Sequence, residues 1–293
     1  MITGIIIKAT AGFYYVEIGD TVYECKARGA FRNEKISPLV GDRVDISLNG
    51  EKGVIEEIYP RKNSVVRPPV ANIDRMFIVS SLGIPAPNTL LIDRSISICE
   101  KKGIEPIIVF NKNDCNSAEE YESVYKKAGF ITAITSCETK TGIEELKNLL
   151  VDGINVFMGN SGVGKSSLLN LIIPEQRLAT AEISQKLGRG RHTTRTTELI
   201  KLGNKYIADT AGFSTFDIES YETVLKEDLP YTFREFEDFL GKCQFTSCSH
   251  TKEKGCAVIE AVNEGIIPKE RHKNYCQIYD EIKNIKEWNK RVK

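Results

Sequence analysis

The sequence predicts a multidomain α/β protein, and three observations predict it. The first 65 residues are rich in β-branched and aromatic residues, broken by Gly and Pro turns. The middle alternates strand-like apolar runs with helical ones. The last quarter has helical spacing and crowds three cysteines between 243 and 256. The length, 293 residues, suits about two domains, or three small ones. Lys and Arg total 40 against 40 Asp and Glu, so no global field draws the chain to nucleic acid or membrane. No apolar run approaches the ~20 residues that span a bilayer. Residues 1–19 lack a basic leader and cleavage site and alternate like a strand. The expectation is a cytoplasmic protein that does not enter membranes, with cysteines used for metal rather than disulfides.

Residues 1–65 hold about five short strands: Ile5-Ile6-Ile7, Phe13 to Ile18, Thr21 to Cys25, Arg43 to Ile46 and Gly53 to Ile58. They suit an N-terminal OB-like β-barrel; an SH3-like barrel is the competing reading. Arg67-Pro68-Pro69 marks a linker. Residues 66–218 then read as strand 75–80, helix 89–101, strand 106–110, helix 117–128, strand 131–135, helix 142–150, strand 155–158, helix 165–173 and strand 206–209. Such alternation predicts a parallel sheet with flanking helices. Residues 219–293 form a helical C-terminal domain, whose last helix runs from Pro268 to Lys293 on the spacing of Tyr275, Ile278, Tyr279, Ile282 and Ile285.

Gly159-Asn160-Ser161-Gly162-Val163-Gly164-Lys165-Ser166-Ser167 fits G-x-x-x-x-G-K-[ST] between a strand and a helix. Glycines let backbone N–H groups turn inward on phosphate oxygens, and the helix N-terminus adds a favourable dipole. Lys165 would reach the β- and γ-phosphates, and the Ser166 hydroxyl would ligate Mg2+. The base is named elsewhere. Asn111-Lys112-Asn113-Asp114 at a strand end is an N-K-x-D box. Asp114 can accept from guanine N1–H and the exocyclic amine; adenine offers neither donor, and an unpaired buried polar group costs about 1–3 kcal/mol. Lys112 should lie along the base, and Asn111 should tie this loop to the phosphate loop. Ser136 and Cys137 follow the next strand as a second guanine contact, with Cys137 where alanine is usual. The nucleotides expected are GTP and GDP.

Asp209-Thr210-Ala211-Gly212 is a D-x-x-G box, with Asp209 holding Mg2+ through water and Gly212 sensing the γ-phosphate. The next residue is Phe213, where Ras-like enzymes carry the glutamine that orients the attacking water. Gly188 to Arg195 occupies the first-switch position. Thr193 or Thr194 would add a second hydroxyl on Mg2+, and His192 would position the water or else face RNA or solvent. The base box thus precedes the phosphate loop, the reverse of the ordinary order. Such a circular permutation is tolerated because domain termini often lie close together. Residues 151–154 would bridge the old ends.

Cys243-x4-Cys248-x-His250-x5-Cys256 supplies three thiolates and an imidazole, which suits a closed tetrahedral structural zinc site. Unligated buried cysteines are the plain alternative. Cys276 reads as helix packing and His272 as a solvated surface group.

These features together resemble one family, the circularly permuted small-subunit-dependent GTPases called RsgA or YjeQ. Ala211 departs from its usual proline, and Arg195 from a further threonine. The resemblance implies a circularly permuted P-loop GTPase domain between an OB-like barrel and a zinc-binding domain. It implies a monomer that assists late maturation of the small (30S) ribosomal subunit through contact with rRNA. The alternative is an RNA-binding nucleotide sensor with little turnover. Lys26, Arg28, Arg32 and Lys35, then Arg189, Arg191 and Arg195, then Lys283, Lys286, Lys290, Arg291 and Lys293 are candidate RNA contacts.

Overall fold

The computed structural model describes residues 1–10, 12–29, 31, 36–50, 52–173, 197–209 and 224–285. Strands β1 (Ile2–Thr10), β2 (Phe13–Ile18), β3 (Thr21–Ala27), β4 (Arg43–Asn49) and β5 (Lys52–Ile58) form the N-terminal barrel. The two-residue turn Gly19-Asp20 closes β2 on β3, with Gly19 at φ +60° as a primed turn needs. Alternation puts Val44, Ile46 and Ile55 fully inside, while Arg43 and Lys52 stay outside. The ring runs β1-β2-β3-β5-β4 and back to β1, with β3 and β5 parallel. This closure is that of an OB-like barrel, and it decides between the two barrels the sequence leaves open.

Short strands β6 (Ser64–Val65) and β7 (Val70–Ala71) flank the Arg67-Pro68-Pro69 segment that the sequence reads as a linker. Beyond it come β8 (Ile73–Ser81), α1 (Thr89–Lys102), β9 (Glu105–Asn111), α2 (Glu119–Lys127), β10 (Ile131–Ile134), α3 (Ile143–Asn148), β11 (Gly153–Met158), α4 (Lys165–Ile172), β12 (Glu198–Leu202) and β13 (Lys205–Asp209). The strand order is β10-β9-β8-β11-β13-β12, parallel except for β12. Six of the seven β9 residues are buried, the unbroken apolar run of a strand covered on both faces. On one face Ile78, Ile92, Ile96 and Ile108 pack together. On the other, Phe77 stacks on Phe157 at 4.5 Å above Val109 and Leu168. The Asn88 side chain caps α1 by accepting from Leu91 N, and Gly103 ends it at φ +64°.

The segment expected to bridge the old ends, 151–154, is held by two side chains. Asn155, fully buried, accepts from Val151 N (3.1 Å) and donates to the Val151 and Tyr206 carbonyls. Asp74 accepts from Ile154 N at 2.8 Å, and any Cβ on Gly153 (φ +111°) would strike its carboxylate.

The C-terminal region holds 3-10 turns at Leu229–Thr232 and Arg234–Phe239, then α5 (Ala257–Asn263) and α6 (Lys269–Ile282). Helix α6 is shorter than predicted. Pro268 is its N-cap rather than its first residue, Ile285 lies past its end, and 286–293 fall outside the described residues. Phe233, Phe236, Tyr275 and Ile278 form its core. Helix α6 docks on α1 through a buried ion cluster. Arg271 meets Asp93 and Glu235 at 2.6 Å each and stacks on Phe233 at 4.4 Å, while Asn274 donates to Asp93. Arg234 adds pairs to Glu100 and Glu105.

Candidate nucleotide site and metal centre

The carboxyl ends of β8, β9, β10, β11 and β13 share one edge of the sheet, where open α/β folds bind ligands. The predicted phosphate loop leaves β11 there. Gly159 passes so close to β8 that a Cβ would come within 2.6 Å of Val79 O. Gly162 (φ +82°) and Gly164 (φ +94°) take left-handed backbone, and α4 starts at Lys165. Val163 is buried and anchors the loop; Asn160 is half-buried; Ser161, Ser166 and Ser167 are exposed along its outer side.

Asn111, the last residue of β9, is fully buried. Its amide donates to Val163 O at 2.9 Å and accepts from Thr135 Oγ1 at 3.1 Å. The predicted tie between the loops is therefore made. Lys112, at φ +64°, donates its ammonium to Gly162 O and Ile84 O, each at 2.7 Å, and so clips three loops together. The exposed Asn113 donates its backbone N–H to Thr135 O. Asp114 is exposed and accepts from Ser136 Oγ and Cys115 Sγ. The Ser136 hydroxyl holds its carboxyl below the usual carboxylate range. Ser136 is itself buried and fixed by the Thr139–Thr141 turn. Cys137 lies 3.7 Å from Asn111 Oδ1, and burial raises its thiol. Sequence reasoning missed Thr135 as the residue that orients Asn111, and Asn116, which donates to Leu82 O. Their only signal was their place beside the two boxes.

Asp209 ends β13, one strand from β11. His192, Thr193, Thr194, Gly212 and Phe213 lie outside the described residues, as do Arg189, Arg191, Arg195, Arg32, Lys35, Lys286, Lys290, Arg291 and Lys293. Of the other basic candidates, Lys26 lies over the Phe13 ring, Arg28 faces Glu56 at 3.6 Å and Lys283 pairs with Asp280.

The Cys/His cluster assembles. The ligand atoms of Cys243, Cys248, His250 and Cys256 lie within 4.8 Å of one another. Cys243 Sγ is 3.8 Å from Cys256 Sγ, and both are 3.5 Å from His250 Nδ1. A tetrahedral ion about 2.3 Å from sulfur and about 2.0–2.1 Å from nitrogen sets S···S at ~3.8 Å and S···N at ~3.5 Å. The cluster therefore has the dimensions of a metal site. Burial and the neighbouring thiols push the Cys248 thiol up to about 12, and a cation beside it would favour the thiolate instead. Burial lowers the His250 imidazolium, favouring the neutral ligating form. Behind the loop, burial would raise the Glu253 carboxyl, but bonds from Ser249 and the backbone N–H groups of Ser249, Thr251 and Lys252 pull it down to about 2. His272 is not the solvated group the sequence predicts. It stacks on Tyr275, and its Nε2 donates to the His250 carbonyl at 2.7 Å, bracing the ligand loop. Cys276 faces Thr251 O and the His272 ring and is not one of the four clustered ligands. Among the described residues no helix is long and apolar enough to cross a membrane.

Comparison with known proteins places this geometry. The RsgA GTPase family model matches residues 58–219, the RsgA N-terminal domain model residues 3–55, and a 50S ribosome-binding GTPase model residues 155–287. A Small ribosomal subunit biogenesis GTPase RsgA from Caldanaerobacter subterraneus is 48% identical over 287 residues, 96% of each chain. One from a Geobacillus species is 45% identical over 98% of this chain and 99% of its own. The crystal structure of YjeQ from Thermotoga maritima superposes with a TM-score of 0.80 at 33% identity, over 97% of this chain and 99% of that one. That of YloQ, described as a circularly permuted GTPase, gives 0.77 at 34% identity, over 98% and 96%. The chain belongs to the RsgA GTPase family.

Proposed function

We propose that this chain hydrolyses GTP to GDP and phosphate, binds the small (30S) ribosomal subunit, is stimulated by it and assists its late maturation. The observation that carries the nucleotide reading is the Asn111–Val163 bond, which joins base loop to phosphate loop as one receptor. In this reading Asp114 and Ser136, with Lys112, Asn113 and Cys137 around them, select guanine. The backbone of 159–164 and Lys165 hold the phosphates. The pinched Gly159 and left-handed Gly162 and Gly164 support that fit. Ser166 directly and Asp209 through water would hold Mg2+, which would neutralise phosphate charge. Gly212 would sense the γ-phosphate, Thr193 or Thr194 would complete the metal shell, and His192 would position water. Cys243, Cys248, His250 and Cys256 would hold one structural zinc.

The proposed units are a barrel at 1–65 that contacts rRNA, a GTPase domain at 66–218 and a zinc-binding domain at 219–293, in a cytoplasmic monomer. The small subunit is favoured over the large one because relatives covering nearly the whole chain carry that name, whereas the 50S description belongs to a model matching 155–287 only. A second reading, a nucleotide sensor with little turnover, is supported by Phe213 where glutamine would orient water. Multiple-turnover hydrolysis with added small subunits, large subunits or neither separates these. Stimulation by small subunits alone is expected, and its absence overturns the first reading. Asp114→Asn should move nucleotide preference from guanine to xanthine.

A further inference from the structure

The barrel and the GTPase sheet are joined edge to edge. Strand β1 meets β12 at one register pair, Lys8 opposite Glu198. Glu198 is in turn the register partner of Asp209 across β12 and β13. Lys8, Glu198 and Asp209 are thus consecutive steps across three strands. The Lys8 ammonium lies 3.0 Å from the Glu198 carboxylate, with the side chains only 15% and 19% exposed. A second contact lies toward the Gly203-Asn204 turn. There Glu17 accepts from Tyr206 OH at 2.6 Å and pairs with Lys201 at 3.0 Å. Lys201 lies three residue steps from Glu198, about 10 Å along the strand.

Strand β12 would otherwise be the free edge of the GTPase sheet, and edges fray at their ends. Its first residue is steadied on the outer side by the Lys8 pair and on the inner side by the backbone at Asp209. The far contact anchors the barrel but acts at the other end of the hairpin.

We propose that Lys8 is a positioning residue for the metal–nucleotide site: through Glu198 it fixes the backbone that presents Asp209, so the barrel is a working part of the switch. A partner that shifts the barrel then changes hold on Mg2+ without touching the nucleotide. The proposal rests on the reading of Asp209 as a Mg2+ residue.

The test uses the full chain and a fluorescent non-hydrolysable GTP analogue, whose dissociation is followed as Mg2+ is titrated. Lys8→Ala should raise the half-saturating Mg2+ about threefold, the weight of one partly buried pair. Its affinity without Mg2+ should stay at the wild-type value, and amide exchange in β12 and β13 should quicken. Lys8→Arg should behave as wild type, and the exchange Lys8→Glu with Glu198→Lys should recover most of the effect. Glu17→Gln should lower Tm and leave the Mg2+ requirement alone. Lys8→Met, which keeps the aliphatic stem, carries the test if Lys8→Ala folds poorly. An unchanged Mg2+ requirement in the Lys8 variants, or an equal shift in Glu17→Gln, overturns the proposal. If wild-type retention ignores Mg2+, the reading of Ser166 and Asp209 fails and takes the proposal with it.

Discussion

Asn111 and Gly164 meet where two loops share one contact. The amide that bonds Val163 O occupies the space a Cβ on Gly164 would need, and Gly164 also sits at φ +94°. Gly164→Ala therefore suffers twice, by left-handed strain of about 1–3 kcal/mol and by pushing Asn111 off its carbonyl. A drop in GTP affinity of at least about tenfold is expected by equilibrium titration, with the zinc content unchanged. Ser136 acts on Asp114 by charge rather than space. Its hydroxyl favours the carboxylate and depresses that pKa. In the proposed function guanine recognition needs the charged form, so wild-type affinity should fall only at a lower pH than an ordinary carboxylate near ~4 would set. Ser136→Ala removes the donor, raises the pKa and moves the acid limb of the binding curve to higher pH. A limb that stays in place in this variant would refute the role given to the hydroxyl.

Among the elements, the Cys/His loop, proposed to hold zinc, tests how far local order depends on a metal. Its ligands come from a turn, a left-handed His250 (φ +58°) and the N-cap of α5, and besides them it is held by Glu253, by His272 and by the Tyr275 hydroxyl on Ser249 O. Chelation should release one zinc per chain, lower Tm and open amides across 243–256, while GTP affinity holds; elemental analysis and hydrogen exchange check this. The cluster was legible because its four ligands lie within fourteen residues of sequence at metal spacing. Strand β9 was legible because its apolar run is unbroken. Strand β12, Glu-Leu-Ile-Lys-Leu, was not, because five residues with adjacent Leu199 and Ile200 break the period-two alternation. Helix α6 was drawn too long because apolar spacing marks a face, not where packing ends. His272 was misread because its partner is a backbone carbonyl 22 residues away, which no side-chain pattern announces.

Across the whole molecule, motif order revealed the permutation, and the observed strand order bears it out. Left unannounced were the joins between units, which include charge pairs far apart in sequence: Lys8 with Glu198, and Arg271 with Asp93, 178 residues away. The second join yields the sharpest prediction. Arg271 is 1% exposed, and Asp93 and Glu235 are nearly as buried, so each charge is held by the others and by Asn274. Burial raises the Asp93 carboxyl, and Arg271 is the first of the groups that oppose it. Arg271→Met keeps apolar contact with Phe233 but strands two carboxylates, at a cost of about 3–5 kcal/mol. Asp93 in the variant has a raised folded pKa, so the folded state binds the extra proton more readily and stability rises as pH falls from 7 toward ~5. Urea unfolding at both pH values reads this directly; a variant equally weak at each would mean that lost packing, not stranded charge, sets the penalty. Undocking α6 from α1 should also expand the chain in small-angle scattering. In the proposed function it should abolish stimulation by small subunits while intrinsic hydrolysis continues, because α1 follows the β8 loop that Lys112 clips to the phosphate site.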